Sequence, residues 1–351
     1  MSRFNDTPNN VAFRSLYGAF NNTEKEVLPI NEVIERAKCN YEVAKQPLVK
    51  VTPQMIEAIK NGLPIEGLTM KDIISSHCAT ARQDTNETLG IVGSDYGVVQ
   101  NAKAFEFIDF LQAESGADSI IETAGALGNG ERIYVSCKLG DCFIDDAKKD
   151  MVNNYVIFTT SHDGSGAVKI YFTDIRVVCQ NTLRVSMCRD HSSDKLVYKH
   201  TKKVGERLED MPKIAARFIE RTKVFNEEFV ARMKHLANQK VDTDFIQDFA
   251  VRMYVPNEKV FKLYLENNRK LDSVDEISTR AKNQIEKLQQ SIDFGIGQDM
   301  YRGSKLWLLN GVTTLLHNDT VYKSEEDEFT SLMVGNGYKK LDLANRLLEV
   351  A

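Results

Sequence analysis

Ser161-His162-Asp163-Gly164-Ser165-Gly166 puts a hydroxyl, an imidazole and a carboxylate beside glycines that let a ligand come close to the backbone. Cys179, Gln180 and Asn181 end the extended segment that follows. If the Cys179 thiol meets the His162 imidazole and Asn181 orients that ring, the residue types suit thiol nucleophilic catalysis. The candidate set is then His162, Asp163, Cys179 and Asn181. The plainer reading is that Asp-Gly and Ser-Gly make a hairpin turn, His162 hydrogen-bonds the neighbouring strand, and Cys179 is a buried cysteine beside a capping Asn181. Both readings stay open, and no catalytic residue is assigned.

A second chemistry is electrostatic. Residues 195–240 hold twelve Lys or Arg against six acids in a chain whose formal charge is −5. Lys195, Lys199, His200, Lys202, Lys203 and Arg207, with Tyr198 among them, could follow a nucleic-acid backbone while the aromatic ring stacks on a base. The plainer alternative is a solvated helix face. Metal chemistry has less support: Cys137-x4-Cys142 and Cys179-x8-Cys188 followed by His191 lack the tight paired spacing of a zinc site. No metal is expected. Gly125-Ala-Leu-Gly128-Asn-Gly130 joins two strands and does not open a helix, so it cradles no phosphate and no cofactor is expected.

The elements that must position these residues follow from pattern. Ile30, Val33, Ile34 and Ala37 have helical spacing with Asn31 as N-cap, and Pro53 to Asn61 reads as a second short helix. Near His77 the texture changes to short apolar runs. Leu89 to Gly93 is a strand, Tyr96 to Gln100 is extended, and Asn101 caps a helix carrying Ala104, Phe107, Ile108 and Leu111 on one face. Ser119 to Leu127 and Glu131 to Leu139 flank Gly128-Asn129-Gly130, a strong hairpin signal because the turn positions must tolerate positive φ. Asn154 to Thr160 and Ala167 to Val178 flank the 161–166 loop as a second hairpin. Val168, Ile170 and Phe172 alternate with Lys169, Tyr171 and Thr173, which predicts one buried face and one wet or partly covered face. From Val204 to Gln239 the spacing is that of a long amphipathic helix, or two in series, with the main helix starting at Pro212. Further helices are expected at 242–254, 257–268, 273–291, 303–317 and 337–350.

Composition bounds the class. Apolar residues are 42% and charged residues 27%, with 20 Gly and 7 Pro, which is the make-up of a globular protein. The acidic balance means that any nucleic-acid site is a local patch. The opening Met-Ser-Arg-Phe-Asn-Asp-Thr-Pro lacks the basic and apolar regions of a secretory signal, and no apolar run approaches the length of a membrane span. The expectation is a cytoplasmic protein, bacterial or from a phage-infected cell, with no membrane partner. Six cysteines in a chain able to bury its own core are read as reduced thiols.

Several blocks together carry a family likeness: Leu89-Gly-Ile-Val-Gly-Ser-Asp-Tyr-Gly-Val-Val-Gln-Asn101, Glu122-Thr-Ala-Gly125, Ser161-His-Asp-Gly-Ser165, Arg176-Val-Val-Cys-Gln-Asn-Thr-Leu183, Leu306-Trp-Leu-Leu-Asn-Gly-Val-Thr313 and Gly335-Asn-Gly-Tyr-Lys-Lys340. In order and separation they resemble the bacterial phage/plasmid-like family catalogued as domain of unknown function 932, over about residues 80 to 351. The resemblance implies a setting on phages, prophages and plasmids, and brings no activity with it. At Lys199-His200-Thr201 the match is partial, with Lys where the family tends to have Arg, and an ammonium lacks the bidentate phosphate grip of a guanidinium.

These readings add up to an α+β fold: a central antiparallel sheet of two hairpins with flanking helices and a helical C-terminal half. The expected organisation is a flexible arm over 1–28, a helical segment over 29–76, an α+β core over 77–200 and a helical region over 201–351. The leading function is a non-enzymatic nucleic-acid-binding factor in mobile-element replication, recombination or defence interplay, including single-strand binding or annealing. An enzyme acting on a nucleotide or acyl substrate is one alternative. A structural or assembly protein, marked by an exposed apolar patch on the C-terminal helices, is the other, and a homo-oligomer fits either non-enzymatic reading.

Overall fold

The computed structural model describes residues 20–21, 28–115, 120–145, 150–176, 181–185, 195–295, 298–323, 327–328, 331–332 and 335–349. Apart from Phe20, Asn21 and Leu28, the expected N-terminal arm lies outside them. The elements run β1 (Phe20–Asn21), α1 (Ile30–Arg36), β2 (Val43–Val49), α2 (Pro53–Lys60), β3 (Ile73–Arg82), β4 (Thr88–Gly93), α3 (Asn101–Ser115), β5 (Ile120–Leu127), β6 (Arg132–Asp145), β7 (Asp150–Ser161), β8 (Val168–Arg176), β9 (Asn181–Val185) and β10 (Lys195–Tyr198). Helices follow: α4 (Val204–Arg207), α5 (Met211–Asn238), α6 (Thr243–Arg252), α7 (Glu258–Glu266), α8 (Thr279–Phe294), α9 (Lys305–Thr314) and α10 (Asn336–Glu349). The fold is α+β, with two antiparallel sheets and a mostly helical C-terminal half.

The large sheet has the order β1-β5-β6-β7-β8-β10, and β9 also pairs with β8. Both expected hairpins form, with Leu127 opposite Arg132 and Thr159 opposite Lys169. β10 and β9 share one edge of β8: Tyr198 to Lys195 pair with Val168 to Tyr171, and Asn181 to Val185 pair with Arg176 to Thr173.

Alternation along the strands sends side chains to two separate cores. Ile133, Val135, Val156, Phe158, Ile170 and Phe172 join Phe105, Phe107, Ile108 and Leu111 of α3. Tyr134, Tyr155, Ile157 and Tyr171 join Phe229 and Met233 of α5 and Leu308 and Leu309 of α9. The face expected to be wet or partly covered is therefore covered by helices, and Tyr171 is fully buried. Its alternation with Lys169 looked half-polar, but a tyrosine packs its ring as an apolar body when helices cover it. α5 has 28 residues and spans roughly 42 Å. It starts in the first core with Met211 and Ile214 and ends in the second with Met233 and Leu236, so it ties the two layers together. Pro212 stands in its first turn as expected, where its missing N–H costs nothing. Asp242, Asn257, Ser278 and Ser304 start α6, α7, α8 and α9 by accepting from first-turn N–H groups. Every residue of α9 is buried.

The small sheet is built differently. β2, β3 and β4 form it in that order, and β2 lies inside the stretch 29–76 that reads as helical. Pro47 obscures the strand: it cannot donate to a ladder and is tolerated because β2 is an edge, with the register shifting between Pro47 and Leu48. α1 begins after Pro29, which makes no side-chain cap bond, so Asn31 is not its cap. No residue of α2 is buried. Between Val49 and Met70 eight large apolar side chains are exposed, with Leu63 at 59% and Met70 at 82%. Among the described residues the exposed apolar surface is thus densest on this segment, whereas in the C-terminal half Val224, Leu265, Phe294 and Val321 are scattered singly.

Cys39 and Cys78 are free thiols. Among the described residues no group of three His, Cys, Asp or Glu could hold a metal, and no helix is long and apolar enough to cross a membrane.

Candidate functional site

The 161–166 loop closes on itself. Asp163 Oδ1 accepts from the Ser165 N–H at 2.9 Å and from the Ser165 hydroxyl at 2.6 Å, while Ser161 Oγ accepts from the Gly166 N–H at 3.0 Å. Arg132 donates to Ser165 Oγ at 3.0 Å. Carboxylate and hydroxyls are thereby engaged in turn formation, as short polar side chains commonly are. The loop is also pressed onto β4: a Cβ on Gly90 would fall 2.5 Å from Asp163 Cα. A glycine is required there because backbone meets backbone.

His162 is fully buried and acts as a joint. Its N–H donates to Glu131 O at 2.6 Å, and its carbonyl accepts from the Thr80 hydroxyl of β3 at 2.6 Å. Its Nε2 lies 2.8 Å from Asn101 Oδ1. Asn101 Nδ2 donates to the carbonyls of Cys39 and Tyr41, both at 3.1 Å. Those carbonyls can only accept, so Oδ1 faces the imidazole and Nε2 must carry the proton. The bare Nδ1 has no hydrogen-bond partner. Burial first, and the nearby His200 second, push the His162 pKa down to about 4, so the ring is neutral near pH 7. Asn101 thus welds the 39–41 segment to β7, in place of the capping role its type suggests. Tyr41 extends the weld by donating to Gly130 O at 2.9 Å, and the Arg82 guanidinium sits 3.9 Å from the Tyr41 ring centroid.

One residue further out, the arrangement opens. His200 Nδ1 donates to Gly97 O at 2.8 Å, which leaves its Nε2 to accept from the Thr160 hydroxyl at 3.2 Å. The His200 ring stacks on Tyr96 with centroids 4.6 Å apart and planes 12° from parallel. Tyr96 donates its hydroxyl to Ser161 O at 2.6 Å. A Cβ on Gly97 would lie 2.2 Å from Thr201 O and 2.6 Å from Val204 Cγ1, so glycine lets the 94–98 and 200–205 segments touch. Beside this contact is a cleft of about 440 Å³ lined by Val43, Lys45, Tyr96, Gly97, Lys202 and Val204, with Val98 and Gly205 completing it.

The charge at the cleft is positive. Lys45 Nζ donates to Ser94 O at 2.9 Å and Tyr96 O at 3.1 Å, which fixes the wall that carries Tyr96. Lys202 pairs with Asp95 at 2.5 Å, both side chains more than 70% exposed, and such a pair contributes little and exchanges readily. Lys199, Lys203 and Arg207 are exposed on the same 199–207 segment. Against these five cations stand Asp95 and Glu206, and the Asp163 carboxylate acts on Tyr96 and His200 from the neighbouring loop.

Of the expected nucleic-acid set, Lys202 lines this cleft, and Lys199, Lys203 and Arg207 are exposed on the same 199–207 segment. His200 is engaged by Gly97, Thr160 and Tyr96 and is not a free contact. Tyr198 packs against the α3-side core, so its ring is not the exposed stacking group expected. Lys195 lies by register opposite Tyr171 in β10. The enzyme constellation does not assemble at Asn181, which pairs with Arg176 at the far end of β8 from Val168 and the loop. Eight residues of strand put roughly 26 Å between those ends. Cys179, with Cys188 and His191, lies outside the described residues. Cys39 is buried and its thiol is pushed up to about 12 by that burial, so it is inert as a nucleophile. Pattern reasoning missed Lys45, because β2 was unread, and Tyr96 with Gly97, which stood in the Leu89 to Asn101 block with nothing local to tie them to the 199–207 segment.

A family model described as Domain of unknown function (DUF932) matches residues 88–333. That stretch contains Tyr96, Gly97, the 161–166 loop and the whole 199–207 segment. No curated protein and no solved structure matches the chain.

Proposed function

Because the chain belongs to the family described as Domain of unknown function (DUF932), whose description names no activity, we propose its function from the site: it is a nucleic-acid-binding protein and not an enzyme. The observation that carries this reading is the cleft lined by Lys45 and Lys202, with exposed Lys199, Lys203 and Arg207 on the segment that supplies Lys202, in a chain of net negative charge. Cations concentrated on one rim neutralise phosphates and release their condensed counterions, which is the main sequence-independent source of affinity. The closed polar circuit of the 161–166 loop and the strand length between His162 and Asn181 weigh against the thiol-catalysis alternative. The sequence resemblance to a phage/plasmid-like family supports a role in mobile-element replication, recombination or defence interplay.

The test is a titration of labelled single- and double-stranded DNA at low salt with the wild type and with a variant carrying Lys199→Ala, Lys202→Ala, Lys203→Ala and Arg207→Ala. The expected result is wild-type binding that the variant weakens at least tenfold. Absence of wild-type binding at low salt overturns the reading.

A second reading, an assembly protein, is favoured by the exposed apolar run from Val49 to Met70, since contiguous apolar surface of this kind marks interaction sites. It is compatible with the first, because β2 separates Val43 at the cleft from Val49 at the apolar run by six residues, roughly 20 Å. Sedimentation of the wild type against Ile56→Ser/Ile59→Ser tests it through self-association.

A further inference from the structure

We infer that the cleft holds one unpaired base of a single strand, stacked on Tyr96 between Lys45 and Lys202. This rests on the nucleic-acid reading and goes beyond it by naming the form of nucleic acid and the group that selects it. A cleft of about 440 Å³ has the size of a small-ligand site, which matches one unpaired base and not the width of a duplex.

Tyr96 is suited to this role because it cannot move. One face rests on His200, and its hydroxyl is tied to Ser161 O. His200 is in turn held at both ring nitrogens. A ring locked this way gives up little conformational entropy when a base settles on it. Every base has a π-face, so stacking of this kind tolerates sequence.

The lysines supply the phosphate contacts. Lys45 directs two of its three donors to Ser94 O and Tyr96 O, which leaves a third N–H at the cleft wall. Lys202 is held only by an exposed ion pair with Asp95, which a phosphate oxygen can replace. The three residues line one concavity.

The experiment uses the full chain and a single-stranded oligonucleotide carrying one 2-aminopurine, with a duplex of the same length and the free 2-aminopurine deoxynucleotide 5′-monophosphate as further arms. The expected results are fluorescence quenching on binding the single strand, a tenfold to hundredfold loss of single-strand affinity in Tyr96→Leu, and affinity within about threefold of wild type in Tyr96→Phe, which keeps the ring. Duplex affinity should be the same in all three proteins.

Gly205 guards against a Leu variant that fails to fold. A Cβ there meets nothing within 4 Å, so Gly205→Phe fills the cleft from its rim without disturbing Tyr96. It should abolish the quenching while far-UV circular dichroism stays unchanged. Single-strand binding unaffected by both Tyr96→Leu and Gly205→Phe overturns the inference and leaves the broader reading standing. Equal loss of single-strand and duplex binding in a folded variant also overturns it, as does quenching of the mononucleotide without binding of the oligonucleotide. Absence of binding to any nucleic acid removes both.

Discussion

The 161–166 loop and the Tyr96 cleft meet at the Tyr96 hydroxyl, which donates to Ser161 O, yet they differ in what their polar groups have left to offer. In the loop, Asp163 accepts from Ser165 and Ser161 Oγ accepts from the Gly166 N–H, and His162 is buried behind them with its donor on Asn101. At the cleft, Lys199, Lys203 and Arg207 are exposed, and Lys202 has a partner it can exchange. The two histidines carry the same contrast: His162 is protonated at Nε2 and sealed, while His200 is protonated at Nδ1, half-buried, and forms the back of an aromatic platform. Residues with chemical potential become a structural joint when their hydrogen bonds close internally. A binding surface is where capacity remains.

The most damaging way to break the contrast is to open the joint. Asn101→Ala leaves the carbonyls of Cys39 and Tyr41 and the His162 Nε2–H buried without these partners, at about 1–3 kcal/mol each. A loss of about 3 kcal/mol or more is expected in urea denaturation, against which Lys203→Ala should cost less than about 0.5 kcal/mol.

Acid attacks the same joint. Folded His162 titrates near 4 and the unfolded residue near 6.5, so between those values the unfolded chain binds the extra proton. Its contribution is complete above about pH 6.5 and falls as the pH drops towards 4, by up to about 3 kcal/mol. Burial lowers His317 to about 4 as well, and it acts in the same direction. Urea midpoints at pH 7 and pH 4.5 should therefore converge only in part for His162→Gln. An unchanged pH dependence in that variant would show that His162 is not sealed.

The large sheet and the helices were legible because their signals are local. Gly128-Asn129-Gly130 marks its hairpin without reference to anything distant, and Pro212 marks the first turn of α5. β2 was not legible, since Pro47 reads as a breaker until β3 is known to make it an edge strand. The candidate site was readable only in halves. The cations of 199–207 are evident from charge, but Tyr96 and Lys45 come to them through a contact between Gly97 and Thr201 that no sequence spacing announces. The core packing of Tyr198 and the stacking of His200 on Tyr96 likewise have no local sign in the sequence.

Smaller effects sharpen the comparison. Asp163→Ala removes two hydrogen bonds of the turn and should cost about 1 kcal/mol of stability, measured by thermal unfolding, with nucleic-acid affinity unchanged. Ile59→Ser, on an exposed apolar position of α2, should leave stability within about 0.5 kcal/mol while weakening any self-association seen by sedimentation.

The most direct measurement is the salt dependence of single-strand binding by the wild type and by Lys199→Ala/Lys203→Ala. Each phosphate contact contributes about 0.7 to the slope of log affinity against log salt for single strands. The expected result is a steep wild-type slope that becomes shallower by about 1.4 in the double variant. Affinity that ignores salt, or a slope the two substitutions leave unchanged, would contradict the assignment of this rim as the nucleic-acid contact.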